Sequence, residues 1–302
     1  MRTLFFGTSD FAVPSLRVVA QASQLVAVVT QPDRPAGRGH RMQATPVKRF
    51  ALERGLAVHE PTDLRAFVRD LAEQARFDLF VLASYGRMLP QALLDLPRVG
   101  SLNVHPSLLP AYRGATPIQS ALRNGERRTG VSVMLMDAGM DTGDIVAQVP
   151  VDIADDECYG ALHDRLAEVG ARLLGEALEH AATGELTAHP QRGESSITAP
   201  LSRADLQVDW AWPCARIVNA IRAFSPQPAA RARLAGEPVK LLRAHVAPAS
   251  QRPGSPGDLL GVEGDALLVA AGQGVVALEE LIPANRSGLS GRAFAQRAEV
   301  VR

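Results

Sequence analysis

The first half of the chain alternates short apolar runs with helix-period segments, and this alternation limits the possible folds more than any other feature. Leu25–Thr30 (LVAVVT) is rich in β-branched residues, and Phe77–Ala83 (FDLFVLA) is a second such run. A strand with one wet face alternates apolar and polar residues. A continuous apolar run suits a strand covered on both faces, the condition of a parallel sheet between helices. Arg2–Phe6 and Gly100–Val104 read as further strands, and Val131–Met136 and Ile145–Val151 as two more around the polar turn DAGMDTGD. Helical patterns cover Phe11–Ala22, Thr45–Gly55 and Cys158–Thr183. In the second of these Thr45 caps the helix, Pro46 takes the first helical position and Gly55 stops it. The expected architecture is α/β, a mostly parallel open sheet with helices on both faces.

The 302 residues exceed one typical domain of roughly 100–200 residues, and 46% hydrophobic content is enough to pack two cores. Periodicity fades over residues 184–206, a stretch rich in Gly, Ser, Thr, Pro and Arg that reads as a connection. Beyond it, Pro213–Phe224 reads as a helix. Short strands then follow at close spacing (ARARL, PVKLLRAHV, GDLLGVEG, ALLVAAG, GVVALEEL), the pattern of a small antiparallel barrel or sandwich. The expected division is a sheet domain over 1–188, a linker over 189–206 and a second domain over 207–302.

Charge narrows the partners. Lys and Arg number 32, as do Asp and Glu, so a chain-wide basic coat for indiscriminate nucleic-acid binding is excluded. The distribution is uneven: residues 1–205 carry 21 basic and 24 acidic groups, and residues 206–302 carry 11 and 8. Cys158 and Cys214 match no zinc or redox spacing, and we expect two small core residues in a reducing compartment. The start, MRTLFFGTSDF, does not read as a signal peptide, and no run reaches the ~18 apolar residues of a membrane helix. The expectation is a cytoplasmic protein without a membrane partner.

Several chemistries lose their main support. Gly7-Thr8-Ser9 lacks the G-x-G-x-x-G spacing, and there is no G-x-x-x-x-G-K-[ST], G-x-S-x-G or H-E-x-x-H. Three features remain. In LNVHPSLLPAYRG, Asn103 and His105 stand two residues apart at a strand end, so both side chains share one face at the carboxyl edge where open sheets bind ligands. Both are able to donate to an oxygen that gains negative charge, although the spacing equally suits a polar strand end capping a turn. In DAGMDTGD, a carboxylate brought beside His105 would orient the ring and favour its charged form; an ordinary acidic loop is the alternative. In QPDRPAGRGHRMQATPVKR, the charges of Arg34, Arg38, Arg41, Lys48 and Arg49 follow Asp33 with no further acid before Glu53. This loop also follows a strand at the carboxyl edge, and it suits a phosphate-rich macromolecule or is a solvated charge run.

LNVHPSLLPAYRG followed by D-x-G-x-D-x-G-D resembles the signature of the formyltransferases that use 10-formyltetrahydrofolate. TQPDRPAGRG is similar to the branch that formylates methionyl-tRNA. The likeness spans nearly the whole chain, including GTSDF, SYGRMLP, VDW, IRAFSP and GEPVKLLRA. It implies a Rossmann-like catalytic domain and a small OB-like β-barrel that tracks the tRNA backbone. It implies a catalytic trio of Asn103, His105 and Asp141. Folate contacts would come from Ser107, Leu108, Leu109 and Pro110, with Ser84, Tyr85, Gly86, Leu89 and Pro90 as another wall. Arg38 would help select the initiator tRNA acceptor end, with Arg34, Arg41, Lys48 and Arg49 as further tRNA contacts. Gln227 departs from the resemblance, standing where a Trp is usual.

The implied reaction moves the formyl group of 10-formyltetrahydrofolate to the free α-amino group of initiator methionyl-tRNA, with no metal, in a protein expected to be a monomer. The alternative acceptor is an amino-sugar nucleotide or another small amine. Asn103 and His105 would donate to the oxyanion formed when the amine attacks, and Asp141 would hold His105 and accept the amine's proton, directly or through water.

Overall fold

The computed structural model describes residues 1–36, 41–74, 76–248 and 254–298. Arg38 therefore lies outside the described residues, as does the side chain of Arg41. The chain forms two compact units. One comprises Met1–Pro117, Arg128–Asp152 and His163–Thr198; the other comprises Ile118–Arg127, Ile153–Leu162 and Ala199–Arg302.

The first unit opens with β1 (Arg2–Gly7), α1 (Ala12–Ala22) and β2 (Gln24–Val29). A hairpin of β3 (Arg34–Ala36) and β4 (Arg41–Gln43) leads to α2 (Pro46–Glu53) and β5 (Val58–His59). Then come α3 (Leu64–Gln74), β6 (Phe77–Ala83), α4 (Gln91–Leu94), β7 (Pro97–His105), the two-residue β8 (Arg113–Gly114) and α5 (Pro117–Arg123). After α5 come β9 (Arg128–Leu135), β10 (Ile145–Asp152), α6 (Tyr159–Thr183) and the short β11 (Ile197–Thr198). Among the described residues seven strands make one sheet in the order β10-β9-β7-β6-β1-β2-β5. From β7 to β5 every pairing is parallel, while β9 and β10 turn back antiparallel at the far edge.

The apolar runs are buried as their composition requires. Leu4, Phe5 and Phe6 of β1 and Leu79 and Val81 of β6 have no accessible surface. Burial of each such large side chain is worth about 1.5–3 kcal/mol, so these two strands contribute strongly to the driving force for the sheet. In α2, Thr45 accepts a hydrogen bond from the Lys48 amide at 3.1 Å, and Pro46 stands at the helix start as its sequence predicts. The hairpin of β3 and β4 was not legible in the sequence, because three-residue strands around Pro35 carry no periodicity.

The second unit takes α7 (Cys214–Phe224), β12 (Ala230–Leu234), β13 (Glu237–Val246), β14 (Leu259–Glu263), β15 (Ala266–Ala270), β16 (Val275–Pro283), β17 (Leu289–Ser290) and α8 (Gly291–Arg297). Its strands are antiparallel in the order β12-β13-β16-β15-β14, with β17 on β16. Register shifts between Leu241 and Ala244 sharpen the twist of β13. Ile217, Ile221 and Phe224 of α7 pack with Leu241, Leu278 and Phe294 in one core. Gln227 is exposed, so no packing depends on the aromatic ring usual there. Cys158 and Cys214 are free thiols, half-buried where core positions were expected.

Candidate active site

Asn103 and His105 occupy the last turn of the pleat in β7, on one face, and both are nearly buried at 6% and 4% exposure. The next strand ends at the same edge: Ala83 pairs with Val104, so the loop that begins at Ser84 rises beside His105. On the other side, the chain leaves β9 beside Ser101, where the Met136 amide donates to its carbonyl at 2.7 Å. The loop 137–144 then returns Asp141 to the face carrying Asn103 and His105.

The three side chains meet. Asn103 Nδ2 donates to Asp141 Oδ1 at 3.2 Å, and the Gly114 amide donates to Oδ2 at 2.8 Å. His105 Nδ1 lies 3.6 Å from Asp141 Oδ2, near enough for charge attraction and too long for a hydrogen bond. The other ring nitrogen, Nε2, is 3.0 Å from the Tyr112 carbonyl, which is able only to accept. Nε2 is thus the protonated nitrogen of a neutral ring, and a ring that also donates through Nδ1 is the imidazolium. The Asp141 carboxylate faces the Nδ1 side of the ring.

The three aspartates of DAGMDTGD separate into distinct duties. Asp137 Oδ1 accepts from the Gly139 amide at 3.0 Å and from the Thr142 hydroxyl at 2.6 Å, closing the loop on itself. Asp144 faces solvent. Only Asp141 is turned inward, with a left-handed backbone at φ 53° that Asp tolerates better than most residues.

The segment 84–90 divides by direction. Ser84, Gly86 and Met88 face outward at the carboxyl edge, whereas Tyr85 and Leu89 face the core. The Tyr85 ring is 1% exposed and packs edge-on to Phe6 at 5.6 Å, with no hydrogen-bond partner for its hydroxyl; burial pushes its phenol up from the ordinary range. Tyr85 and Leu89, expected as folate contacts, are core side chains here because the loop alternates in and out. Pro90 ends the segment half-buried, at the N-terminus of α4. Ser107 and Leu109 are likewise interior. The Ser107 hydroxyl donates to the Ala111 carbonyl at 2.6 Å, and Pro110 is buried. Leu108 lies against Gly130 of β9, where an added Cβ would stand 2.5 Å from its Cδ2.

The basic loop is also sorted. Lys48 Nζ sits between Asp33 Oδ1 at 2.9 Å and Glu60 Oε2 at 2.8 Å, and those hydrogen bonds, Glu60 first, hold its ammonium above the ordinary lysine range. Its charge is matched within the fold by these two carboxylates. Glu60 lies beyond the run that the charge count covered. Arg49 donates to the Ala44 carbonyl at 2.9 Å, and Arg34 hydrogen-bonds to Gln31. Gln31 in turn donates to the Tyr85 carbonyl at 2.7 Å, fastening the hairpin to the 84–90 segment.

Sequence reasoning missed the support behind Asp141. Gly114 has φ 100°, and an added Cβ would come within 2.4 Å of the Thr198 carbonyl oxygen. Gly114→Ala is therefore expected to destabilise the protein by at least about 1 kcal/mol and to lower turnover by displacing the amide that holds Oδ2. A thermal melt and a turnover measurement check this; an Ala variant with unchanged values would contradict the geometry.

A mixed sheet carries Asn103 and His105 at its carboxyl edge with Asp141 brought beside them from the loop 137–144, and an antiparallel unit accompanies it; family comparison resolves the class. A model described as formyl transferase matches residues 1–178, and one described as formyl transferase, C-terminal domain, matches residues 200–299; the chain belongs to the formyl transferase family. Among curated relatives, the methionyl-tRNA formyltransferase of Chromobacterium violaceum is 42% identical over 297 residues, covering 97% of this chain and 95% of that one. The methionyl-tRNA formyltransferase of Chromohalobacter salexigens is 46% identical over 276 residues, covering 90% and 85%. Among solved structures, HypX from Aquifex aeolicus in complex with tetrahydrofolic acid has a TM-score of 0.66 at 20% identity, over 99% of this chain and 47% of that one. WlaRD, a sugar 3N-formyl transferase, also has a TM-score of 0.66, at 18% identity over 95% and 99%. At such identities the likeness is one of fold. Among the described residues, no helix is long and apolar enough to cross a membrane.

Proposed function

We propose that the protein transfers the formyl group of 10-formyltetrahydrofolate to the α-amino group of initiator methionyl-tRNA. The observation that carries this reading is the Asn103–His105–Asp141 cluster in a chain 42–46% identical, over most of its length, to methionyl-tRNA formyltransferases. In this reading residues 1–188 hold the chemistry and residues 207–302 help hold the tRNA.

The donor set fits a folate-borne formyl group. An amide, an imidazole and a carboxylate converge without a serine or cysteine nucleophile among them, so direct transfer between two bound substrates is the chemistry they serve. When bound, the folate supplies an activated formyl group on nitrogen. Asn103 has a second Nδ2–H beyond the one given to Asp141, and a protonated His105 has its Nδ1–H; both are available to the formyl oxygen as it gains negative charge. The Tyr112 carbonyl fixes the ring through Nε2. Asp141 faces the Nδ1 side of that ring and stands ready to take the amine's proton, directly or through water. The outward Ser84, Gly86 and Met88 border the same edge and suit the folate wall better than Tyr85 or Leu89. Ser107, Leu109 and Pro110 would support the wall from within.

Arg34, Arg38, Arg41, Lys48 and Arg49 are the tRNA contacts of the basic loop in this reading, Lys48 with its charge already paired to Asp33 and Glu60. Arg38→Ala is expected to raise KM for tRNA about tenfold with little change in KM for folate, the loss of one charged phosphate contact. Steady-state kinetics with full-length tRNA test this, and unchanged constants would remove the loop from the interface. The acceptor class is tested by offering charged initiator tRNA and amino-sugar nucleotides separately under equal conditions. Preference for the sugar would overturn the tRNA reading, as formate release without tRNA would point to hydrolysis.

A further inference from the structure

Asp141 is held from a second side, by a residue 50 positions downstream in sequence. The Gln191 amide is satisfied at both ends. Its Oε1 accepts from Arg113 Nε at 3.1 Å and from an Arg113 terminal nitrogen at 2.6 Å, while its Nε2 donates to the carbonyls of Asp141 at 2.8 Å and Gly143 at 2.9 Å. Two acceptor lone pairs meet two guanidinium N–H groups, and two amide N–H groups meet two carbonyls, so every capacity of one side chain is used. We propose that Gln191 is a positioning residue for formyl transfer, fixing the left-handed backbone of Asp141 so that its carboxylate faces His105 and Asn103. The proposal rests on the reading of Asp141 given above and deepens it.

The surrounding chain supports the same role. His189 exchanges backbone hydrogen bonds with Ile145 at 2.8 and 2.9 Å, which anchors the strand of chain just before Gln191. Further on, β11 pairs with β8, and the Arg113 amide donates to the Ser196 carbonyl at 2.9 Å. Residues 189–198 thus fasten both Gly114, whose amide binds the Asp141 carboxylate, and the Asp141 main chain. The residue type is specific. Glu would keep the tie to Arg113 with one oxygen but set the other against the Asp141 and Gly143 carbonyls, an acceptor facing two acceptors. Met would fill the same space with no hydrogen bonds. A shift of about 1 Å in a reacting group costs on the order of 10²-fold in rate, so a small displacement of Asp141 is enough to register.

The test compares Gln191→Met, Gln191→Glu and Asp141→Asn in the full chain, with 10-formyltetrahydrofolate and charged initiator tRNA. Both Gln191 variants are expected to lose about 10–100-fold in kcat while KM for either substrate moves less than about threefold. Both variants should fold with a lowered unfolding midpoint, the effect of the lost hydrogen bonds; the kcat loss well below that midpoint, with KM unmoved, is what a merely structural role would not produce. Recovery of kcat in Gln191→Glu would assign the residue to anchoring Arg113 alone and overturn the proposal. So would unaltered turnover in Gln191→Met, or its failure to fold. If Asp141→Asn itself turns over normally, the reading of the site fails. If Asp141→Asn is inactive while Gln191→Met is normal, only the positioning role fails.

Discussion

Asp141→Asn is expected to lower kcat for formyl transfer by about 10³-fold or more, toward the upper range for loss of a positioned acid–base group. The carboxylate has three duties that one amide does not fill together. It takes hydrogen bonds on both oxygens, from Asn103 and from the Gly114 amide. It stands 3.6 Å from His105 Nδ1 as a counter-charge. In the proposed reaction it is also the base that takes the amine's proton. An amide keeps one acceptor oxygen and sets its NH2 against a donor on the other side, whichever way it turns. That mismatch costs about 1–3 kcal/mol of stability and leaves the sheet intact, because Asp141 belongs to the loop and not to a core cluster. Circular dichroism, a thermal melt and single-turnover kinetics on one preparation separate the two effects. Turnover within a fewfold of normal in a folded variant would remove Asp141 from the mechanism.

Asn103→Ala and His105→Ala are each expected to reduce kcat by about 10²–10³-fold, the loss of roughly 3–4 kcal/mol that follows removal of one donor to a developing oxyanion. Binding constants should change less, since both groups act on charge that appears only as the reaction proceeds. The two variants differ in their effect on the fold. His105 anchors the Tyr112 carbonyl through Nε2, so its removal also loosens the approach to Gly114. Asn103 is bonded to Asp141 alone among described side chains, so its removal mainly frees the carboxylate. KM rising in step with the fall in kcat/KM would assign either residue to ground-state binding instead.

The parts of this site that the sequence makes legible are those set by local geometry. Period two in a strand places Asn103 and His105 on one face whatever lies elsewhere, and the Thr45–Pro46 start of α2 is equally local. The choice of Asp141 over Asp137 and Asp144 was legible only through the resemblance, because three carboxylates in one turn differ by which neighbours they meet, and Asp137 meets its own loop. The in-and-out division of residues 84–90 depends on the backbone path of a tight loop, so the burial of the Tyr85 and Leu89 side chains is not legible in the sequence. The pairing of Lys48 is not legible, because a count of one-signed charge along the chain does not see Glu60 folding back upon it. Gln191 was illegible for the same reason: it lies in a polar stretch without periodicity, and its partners are 48 to 78 residues away.

The account turns on the acceptor, and the most direct measurement is single-turnover formyl transfer from 10-formyltetrahydrofolate to charged initiator methionine tRNA, run beside charged elongator methionine tRNA. Rapid appearance of formylmethionine is expected on the initiator tRNA, with little on the elongator. Failure to formylate the initiator tRNA, or equal formylation of both, would contradict it.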